Sequence, residues 1–184
     1  MEGLSEIKPL ESTAYSIMPI MDLRYPTGKF LFNPALTADI RRAAIAAIGA
    51  FPQELAPALA SARLDQPYRE GGWTARQVVH HLADSHMNAF IRFRLALTED
   101  RPTVKPYNES EWAKLADAQL DPQLSVQILD GLHQRWHAML LAMRESDFTR
   151  EAIHPDHGPR TVDWFLQMYA WHGRHHIGHL KLTH

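Results

Sequence analysis

The residues of this sequence most able to do chemistry are its histidines, which number 12 in 184 residues, while cysteine is absent. Five of the 12 histidines fall within residues 172–184. Imidazole nitrogens bind zinc and other divalent transition metals, and without cysteine a metal site must use histidine and carboxylate. The composition therefore indicates the chemistry of a histidine-ligated metal ion.

The spacing of the C-terminal histidines suits a metal site on a helix. Residues four apart on an α-helix differ by only about 40° in direction, so His172 and His176 would project side by side. His175 and His179 repeat this geometry on an adjoining line of the same helix. Helical zinc sites use such i, i+4 pairs, but two imidazoles are too few for a stable centre with one ion. A third ligand must come from elsewhere.

Two other segments carry histidines that could complete the site. His80 and His81 are adjacent, and because consecutive helical residues point about 100° apart, only one of them can face a bundle interior. His133 and His137 form a further i, i+4 pair. Lone His86 is expected to be an ordinary hydrogen-bonded core residue. Spacing alone does not choose among these sets, and a solvated histidine-rich chain end is the main alternative to a metal site.

Four helices are predicted to position these histidines. An apolar helical pattern begins at residue 37, is disturbed by a proline and resumes through residue 64. Capping patterns predict three further helices, over about 74–97, 121–145 and 161–182. Residues 99–121 are predicted to form a long crossing connection with at most a short helix, and no strand is predicted. This pattern favours an all-α four-helix bundle, a fold that builds metal sites from inward-facing side chains.

The bulk properties fit one domain without a nucleic-acid or membrane role. Residues 1–35 contain prolines without a sustained period, which predicts an irregular lead-in before a single four-helix-bundle domain at 36–184. The net charge of −2 indicates no affinity for nucleic acid or membrane surfaces. No apolar run is expected to span a bilayer, which takes roughly 20 residues, and no signal-peptide pattern begins the chain. The expected location is the cytoplasm.

A longer motif is similar to a known family. Residues 71–88, with the sequence GGWTARQVVHHLADSHMN, resemble the YfiT branch of the DinB-like superfamily, and the similarity covers roughly Arg24 to the C-terminus. The resemblance implies a four-helix bundle, usually with up-up-down-down helix directions. It also implies one divalent metal ion, zinc or nickel, per subunit, and a homodimer.

The resemblance further implies which histidines bind the metal. The first ligand of this family is the histidine directly before a leucine on the second helix, which here is His81. The other two form a His-Gly-x-x-His pattern on the last helix, which here gives His172 and His176. His175 and His179 lie outside that pattern.

Members of this branch are described as metal-dependent hydrolases, which implies a small-molecule substrate. Three imidazoles leave a position open on the metal, where a bound water molecule could become a hydroxide nucleophile near neutral pH. Hydrolysis also needs a general base. Asp84 is the main candidate for the general base, and Glu109 is the alternative.

Two alternative functions share the same ligands. Relatives in the wider superfamily transfer low-molecular-weight thiols such as bacillithiol or mycothiol, in which case the metal would activate a thiolate. Arg92, Arg135 or Arg174 would then bind the carboxylates of the thiol. A non-catalytic metal-binding stress protein would instead close the fourth position on the metal with a further ligand, such as His175, His179 or an aspartate.

Overall fold

A computed structural model describes residues 22–35 and 37–184, so residues 1–21 of the predicted lead-in lie outside the described residues. Residues 22–35 contain turns but neither helix nor strand. The remainder forms α1 (Ala38–Ser61), α2 (Ala75–Thr98), α3 (Glu109–Trp112), α4 (Gln123–Leu141), β1 (Glu151–His154), β2 (Gly158–Thr161) and α5 (Val162–Leu180), with two short 3₁₀ helices at Ala116–Gln119 and Glu145–Thr149. The four predicted long helices and the long crossover are confirmed.

The helices begin where the sequence provides capping side chains. Thr37, Thr74 and Thr161 each accept a hydrogen bond from the backbone N–H three residues later. At Thr74 the side chain of Gln77 binds back to the cap and completes the predicted capping box. Asp121 accepts a hydrogen bond from the backbone N–H two residues later, at the start of α4. Local sequence therefore fixes the starts of the four long helices.

The helix directions differ from the up-up-down-down order that the resemblance implies. The first turn of α2 is hydrogen-bonded to residues directly following α1, so α2 runs back antiparallel to α1. The contact between His80 and Ser125 joins the starts of α2 and α4, which are parallel. The ion pair between Arg41 and Asp163 likewise joins the starts of α1 and α5. The order is up-down-down-up, because the crossover at 99–122 returns the chain to the end where α2 began.

A small β-hairpin corrects the prediction that the chain has no strand. β1 and β2 pair in antiparallel register from Glu151 opposite Thr161 to His154 opposite Gly158. Each strand has four residues, and β2 contains Pro159, so neither strand shows the alternating apolar pattern that would reveal it. Backbone hydrogen bonds from β1 to residues 102 and 104 attach the hairpin to the crossover.

The bundle core consists of two apolar clusters with a layer of histidines between them. One cluster contains Phe93 and Phe165, and the other contains Leu82 and Leu180. On α5, His172 and His176 lie in the sequence between the contributions to the two clusters, as His86 does on α2, whereas His81 directly precedes Leu82 of the second cluster. The polar layer is therefore enclosed by apolar packing on both sides.

Helix α1 is long and apolar enough, with a mean hydropathy of 1.3, to cross a membrane by length and composition, contrary to the expectation that no run would be. Pro52 interrupts its sequence pattern but not the helix, which continues to Ser61. Ile48 and Leu55 on its inner face are 1% and 0% exposed. Ile48 belongs to the cluster of Phe93, and Leu55 belongs to the cluster of Leu82. This packing is that of a core helix in the bundle.

Candidate metal centre

The structure brings together the three histidines that the family resemblance selects. His81 comes from α2, and His172 and His176 come from α5. One ring nitrogen from each lies within 4.8 Å of the other two. The Nε2 atoms of His81 and His172 are 3.3 Å apart although the residues are 91 positions apart in sequence.

The geometry and protonation of this cluster fit a divalent metal ion. Two nitrogens bound to a tetrahedral zinc ion at roughly 2.0–2.1 Å lie about 3.3–3.4 Å apart, which matches the distance between the Nε2 atoms of His81 and His172. Burial lowers the pKa of His81 to about 4, with smaller contributions from the neighbouring His175 and His179. Burial also lowers the pKa values of His172 and His176 well below their usual range. All three imidazoles are neutral at pH 7 and have a lone pair to donate.

The choice between His80 and His81, which spacing leaves open, is made by their neighbours. His81 is 5% exposed and packs against Trp73, with ring centroids 4.7 Å apart. His80 points toward α4 and the crossover, where its Nδ1 lies 2.8 Å from the hydroxyl of Ser125 and its Nε2 lies 3.2 Å from the carbonyl oxygen of Leu120. His80 therefore connects elements of the fold outside the metal cluster.

A chain of buried histidines extends from His172 to the backbone of α1. The Nδ1 of His172 lies 3.2 Å from the Nε2 of His86. The Nδ1 of His86 lies 2.8 Å from the Nε2 of His133, whose Nδ1 lies 2.6 Å from the carbonyl oxygen of Ile48. Phe51 packs against the rings of His86 and His133, with centroid distances of 4.9 and 4.8 Å.

This chain determines which nitrogen of His172 faces the metal position. A carbonyl oxygen only accepts hydrogen bonds, so the Nδ1 of His133 carries the proton and its Nε2 accepts from His86. Burial lowers the pKa of His133 to about 4 and that of His86 well below its usual range, so both rings are neutral. The Nε2 of His86 then accepts the Nδ1–H of His172. The Nε2 of His172 is left with a free lone pair for a metal.

No spacing rule predicts this chain, because it joins three helices and a backbone carbonyl of α1. His86 is a hydrogen-bonded core residue, as expected, but it also contacts a proposed metal ligand. His133 is 1% exposed and belongs to the chain, whereas the ring of His137 packs against Gly49. The i, i+4 pair on α4 thus does not form a metal cluster of its own among the described residues.

Replacing His133 by leucine is expected to weaken zinc binding by about 10 to 100-fold, because His86 would lose its acceptor and no longer hold His172 in one tautomer. His133→Gln, whose amide can both donate and accept, should retain most of the affinity. Competition with a chelator measures the affinity, and ¹⁵N NMR of the histidine rings measures the tautomer of His172. The control is His137→Leu on the same helix. Unchanged affinity and tautomer in His133→Leu would show that the chain has only a packing role.

The second i, i+4 pair on α5 lies behind the first. The Nδ1 of His179 is 3.2 Å from the Nδ1 of His176, so the Nε2 of His176 can bind a metal when its Nδ1–H donates to His179. His179 stacks on Tyr68 at a centroid distance of 3.9 Å, and His175 stacks on Trp171 at 4.4 Å. Within residues 22–35 and 37–184, no fourth histidine or carboxylate joins the first cluster. Its fourth position is therefore left open by the described protein groups.

Two cavities reach His172 of the metal cluster. One, of about 440 Å³, is lined by His81, His172 and His176 together. The other, of about 750 Å³, is lined by His172 and extends beside the crossover and the β-hairpin. Glu109, the first residue of α3, lines both cavities. A small molecule could therefore approach the cluster and a carboxylate at the same time.

The two candidate bases differ in position. Asp84 lines a third cavity of about 240 Å³, together with His81 and Glu109, but neither of the two cavities that His172 lines. Burial raises the pKa of Asp84, with a smaller contribution from Asp117. Burial also raises the pKa of Glu109. The assignment of Asp84 as a base stays a prediction. Glu109, unlike Asp84, lines both cavities that contain His172.

The three arginines named as candidates for carboxylate binding lie in different environments. Arg92 is 8% exposed and lines the 750 Å³ cavity with His172. Arg135 is exposed and lies over the ring of Phe90 at 5.4 Å. Arg174 is also exposed and lines a separate cavity. Of these three, Arg92 is the one placed beside the metal cluster.

Comparison with known proteins gives concordant matches in sequence and structure. The DinB superfamily model matches residues 52–180. A protein of Bacillus mycoides (strain KBAB4), named "Putative metal-dependent hydrolase", is 47% identical over 162 residues, which cover 86% of this chain and 94% of that protein. A Bacillus cereus (strain B4264) protein with the same description is 46% identical, with the same coverage of both chains. These relatives match nearly their whole length.

One solved structure is similar over most of the chain. It is YfiT from Bacillus subtilis, described as "a probable metal-dependent hydrolase with an unusual four-helix bundle topology". The TM-score is 0.83 at 41% sequence identity, and the match covers 87% of this chain and 94% of that one. The similarity in fold and the similarity in sequence therefore extend over the same large part of the molecule.

Proposed function

Because this chain belongs to the DinB superfamily and brings three histidines together around one open position, we propose that it is a metal-dependent hydrolase of small molecules. The observation that carries the proposal is the set of three neutral imidazoles facing a cavity, with no fourth protein ligand among the described residues. A divalent ion bound there would lower the pKa of a water molecule and so supply a nucleophile.

In this proposal the residues of the cluster have separate roles. His81, His172 and His176 bind the ion, and the buried partner His86 holds the ring of His172 in the metal-binding tautomer. A carboxylate accepts the proton of the nucleophile. Glu109 is one candidate for this role, and Asp84, which is predicted from the sequence, is the other. A raised carboxylate pKa makes either group a stronger base near neutral pH.

Glu109→Gln is expected to lower the hydrolytic kcat by about 10² to 10⁴-fold while leaving metal content unchanged, because the amide cannot accept the proton. Glu111→Gln, on the same short helix and exposed, is the matched control. Asp84→Asn in the same assay tests the other base. A kcat of Glu109→Gln equal to that of the control would remove Glu109 from the mechanism.

The function itself is tested by assaying zinc- and nickel-loaded protein against a panel of small amides and esters. Hydrolysis that depends on the bound ion, and is lost in His172→Ala, is the expected result. If fully loaded protein hydrolyses no member of the panel, the hydrolase proposal is wrong.

Thiol transfer is the second candidate, and the charge of the cluster favours it. Neutral imidazoles leave the +2 charge of a bound ion uncompensated, so an anionic thiolate would be stabilised there as well as a hydroxide. Adding a cysteine-based thiol to cobalt-substituted protein should then shift the d-d spectrum. An unchanged spectrum at saturating thiol would eliminate transfer while leaving hydrolysis in place.

The remaining expectations are parts of the same proposal. The ion is zinc or nickel, one per subunit, and the protein is a cytoplasmic homodimer. Metal analysis and light scattering of the purified protein test the ion and the dimer. The non-catalytic alternative requires a closed fourth position, and the open position left by the described residues argues against it.

A further inference from the structure

Arg92 is a buried cation without a carboxylate partner among the described residues. It is 8% exposed, and no described Asp or Glu oxygen lies within 4.0 Å of its nitrogens. Its Nη1 donates to the hydroxyl of Tyr169 at 3.0 Å, and its Nη2 donates to the carbonyl oxygen of Lys105 at 3.1 Å. Burying a charge without an opposite charge is unfavourable, so such a group usually has a partner that binds to it.

The guanidinium of Arg92 still has donors to offer. It has five N–H groups, of which the two described contacts use two. Its Nε is buried and makes no hydrogen bond within the described part of the chain. The Nε–H and a neighbouring Nη–H form the planar edge that binds a carboxylate through two parallel hydrogen bonds. The contacts to α5 and the crossover fix the plane of this edge in advance.

Arg92 lies in the lining of a substrate-sized cavity. Arg92 and His172 line the same 750 Å³ cavity, together with Ser85 and Tyr107. The Tyr107 hydroxyl is also buried without a well-aligned hydrogen-bond partner among the described residues. The lining of the cavity thus includes a proposed metal ligand and two side chains that have unused hydrogen-bond donors.

We propose that Arg92 binds a carboxylate group of the substrate while the reacting group lies at the metal cluster. The inference rests on the proposed function in one respect, which is that a small molecule occupies this cavity. It narrows the substrate class to small carboxylic acids that carry a second, reactive group. An acylated amino acid and a thiol with carboxylates both belong to this class.

The test uses hydroxamates, which chelate metal ions, as probes on cobalt-substituted protein. A series of dicarboxylic acid monohydroxamates of increasing length is compared with hydroxamates of equal length that end in methyl. At the best length the carboxylate-ended probe should bind about tenfold more tightly, as expected for a charge-assisted pair. Arg92→Gln should remove this preference and leave the affinity of the methyl-ended probe unchanged. Arg135→Gln, an exposed arginine on α4, is the control that should keep the preference.

Equal affinities of the two probes at every length would overturn the inference, and Arg92 would then be only a structural link between α2, α5 and the crossover. Failure of both probes to perturb the metal spectrum would also overturn it, since the cavity would not lead to the metal. If Arg92→Gln does not fold, the comparison of the two probe series on the wild-type protein still tests for a carboxylate preference. Arg92→Lys then takes the place of Arg92→Gln. A carboxylate preference without hydrolysis of any amide or ester would support this inference while removing the hydrolase proposal.

Discussion

His172→Ala is expected to lose stoichiometric zinc binding, with an affinity reduced by more than about 100-fold. The reason is that three imidazoles are the minimum for a stable ion of this kind, whereas changes to residues behind the ligands typically cost 10 to 100-fold. His81→Ala and His176→Ala should give the same result, because one nitrogen of each lies within 4.8 Å of the other two. Metal content by elemental analysis and affinity by chelator competition measure the effect.

His157→Ala is the matched control for these variants, because His157 is exposed at the turn of the β-hairpin. His175→Ala should also retain the ion, since His175 groups with His176 and His179 and not with His81. Loss of metal in His133→Ala together with its retention in His172→Ala would overturn the ligand assignment. Circular dichroism of each variant shows whether a lost ion reflects a lost fold.

The metal-free protein is expected to lose most of its stability between pH 6.5 and about pH 4. Burial lowers the pKa values of His81 and His133 to about 4, from an ordinary value of 6.5. Below pH 6.5 the unfolded chain takes up protons that the folded chain cannot accept, so the free energy of unfolding falls until the folded-state pKa is reached. His81 and His133 would each contribute a loss of roughly 3 kcal/mol at pH 4. His86, His172 and His176 act in the same direction.

A loss of this size is comparable with the whole stability of an ordinary domain, which is about 5–15 kcal/mol. Urea unfolding of metal-free protein at pH 7.5, 6 and 5 measures it. Replacing His86 and His133 together by leucine should flatten the pH dependence, because two buried titratable groups are removed and the hydrogen bond between them is removed as a pair. His157→Ala should leave the pH dependence unchanged. An equal free energy of unfolding at pH 7.5 and pH 5 would contradict the prediction.

Bound metal should raise the free energy of unfolding at neutral pH, and this stabilisation should disappear in acid. A ligand that binds the folded chain and not the unfolded one adds to stability, and protons compete with the ion for the same imidazole nitrogens. The metal-loaded and metal-free unfolding curves should therefore converge as the pH falls.

The four long helices and their starting residues were predictable because their causes are local. A threonine cap such as Thr74 satisfies backbone N–H groups within its own turn, and an apolar stripe depends only on residues three and four apart. The pairing of His172 with His176 follows in the same way from one helical turn. The β-hairpin was not predictable, since its short strands are held by the crossover and contain too little pattern to be recognised.

What sequence by itself determined about this protein is the helical class, the helix starts, the crossover and the i, i+4 histidine pair on α5. Only the tertiary structure decided that His81 meets that pair, that His86 and His133 orient His172, and that Arg92 lies beside the cluster. These relations join residues that are distant in sequence and belong to different helices. They depend on helix direction and packing, which no single segment specifies, and the up-down-down-up order is itself a property of the packed bundle.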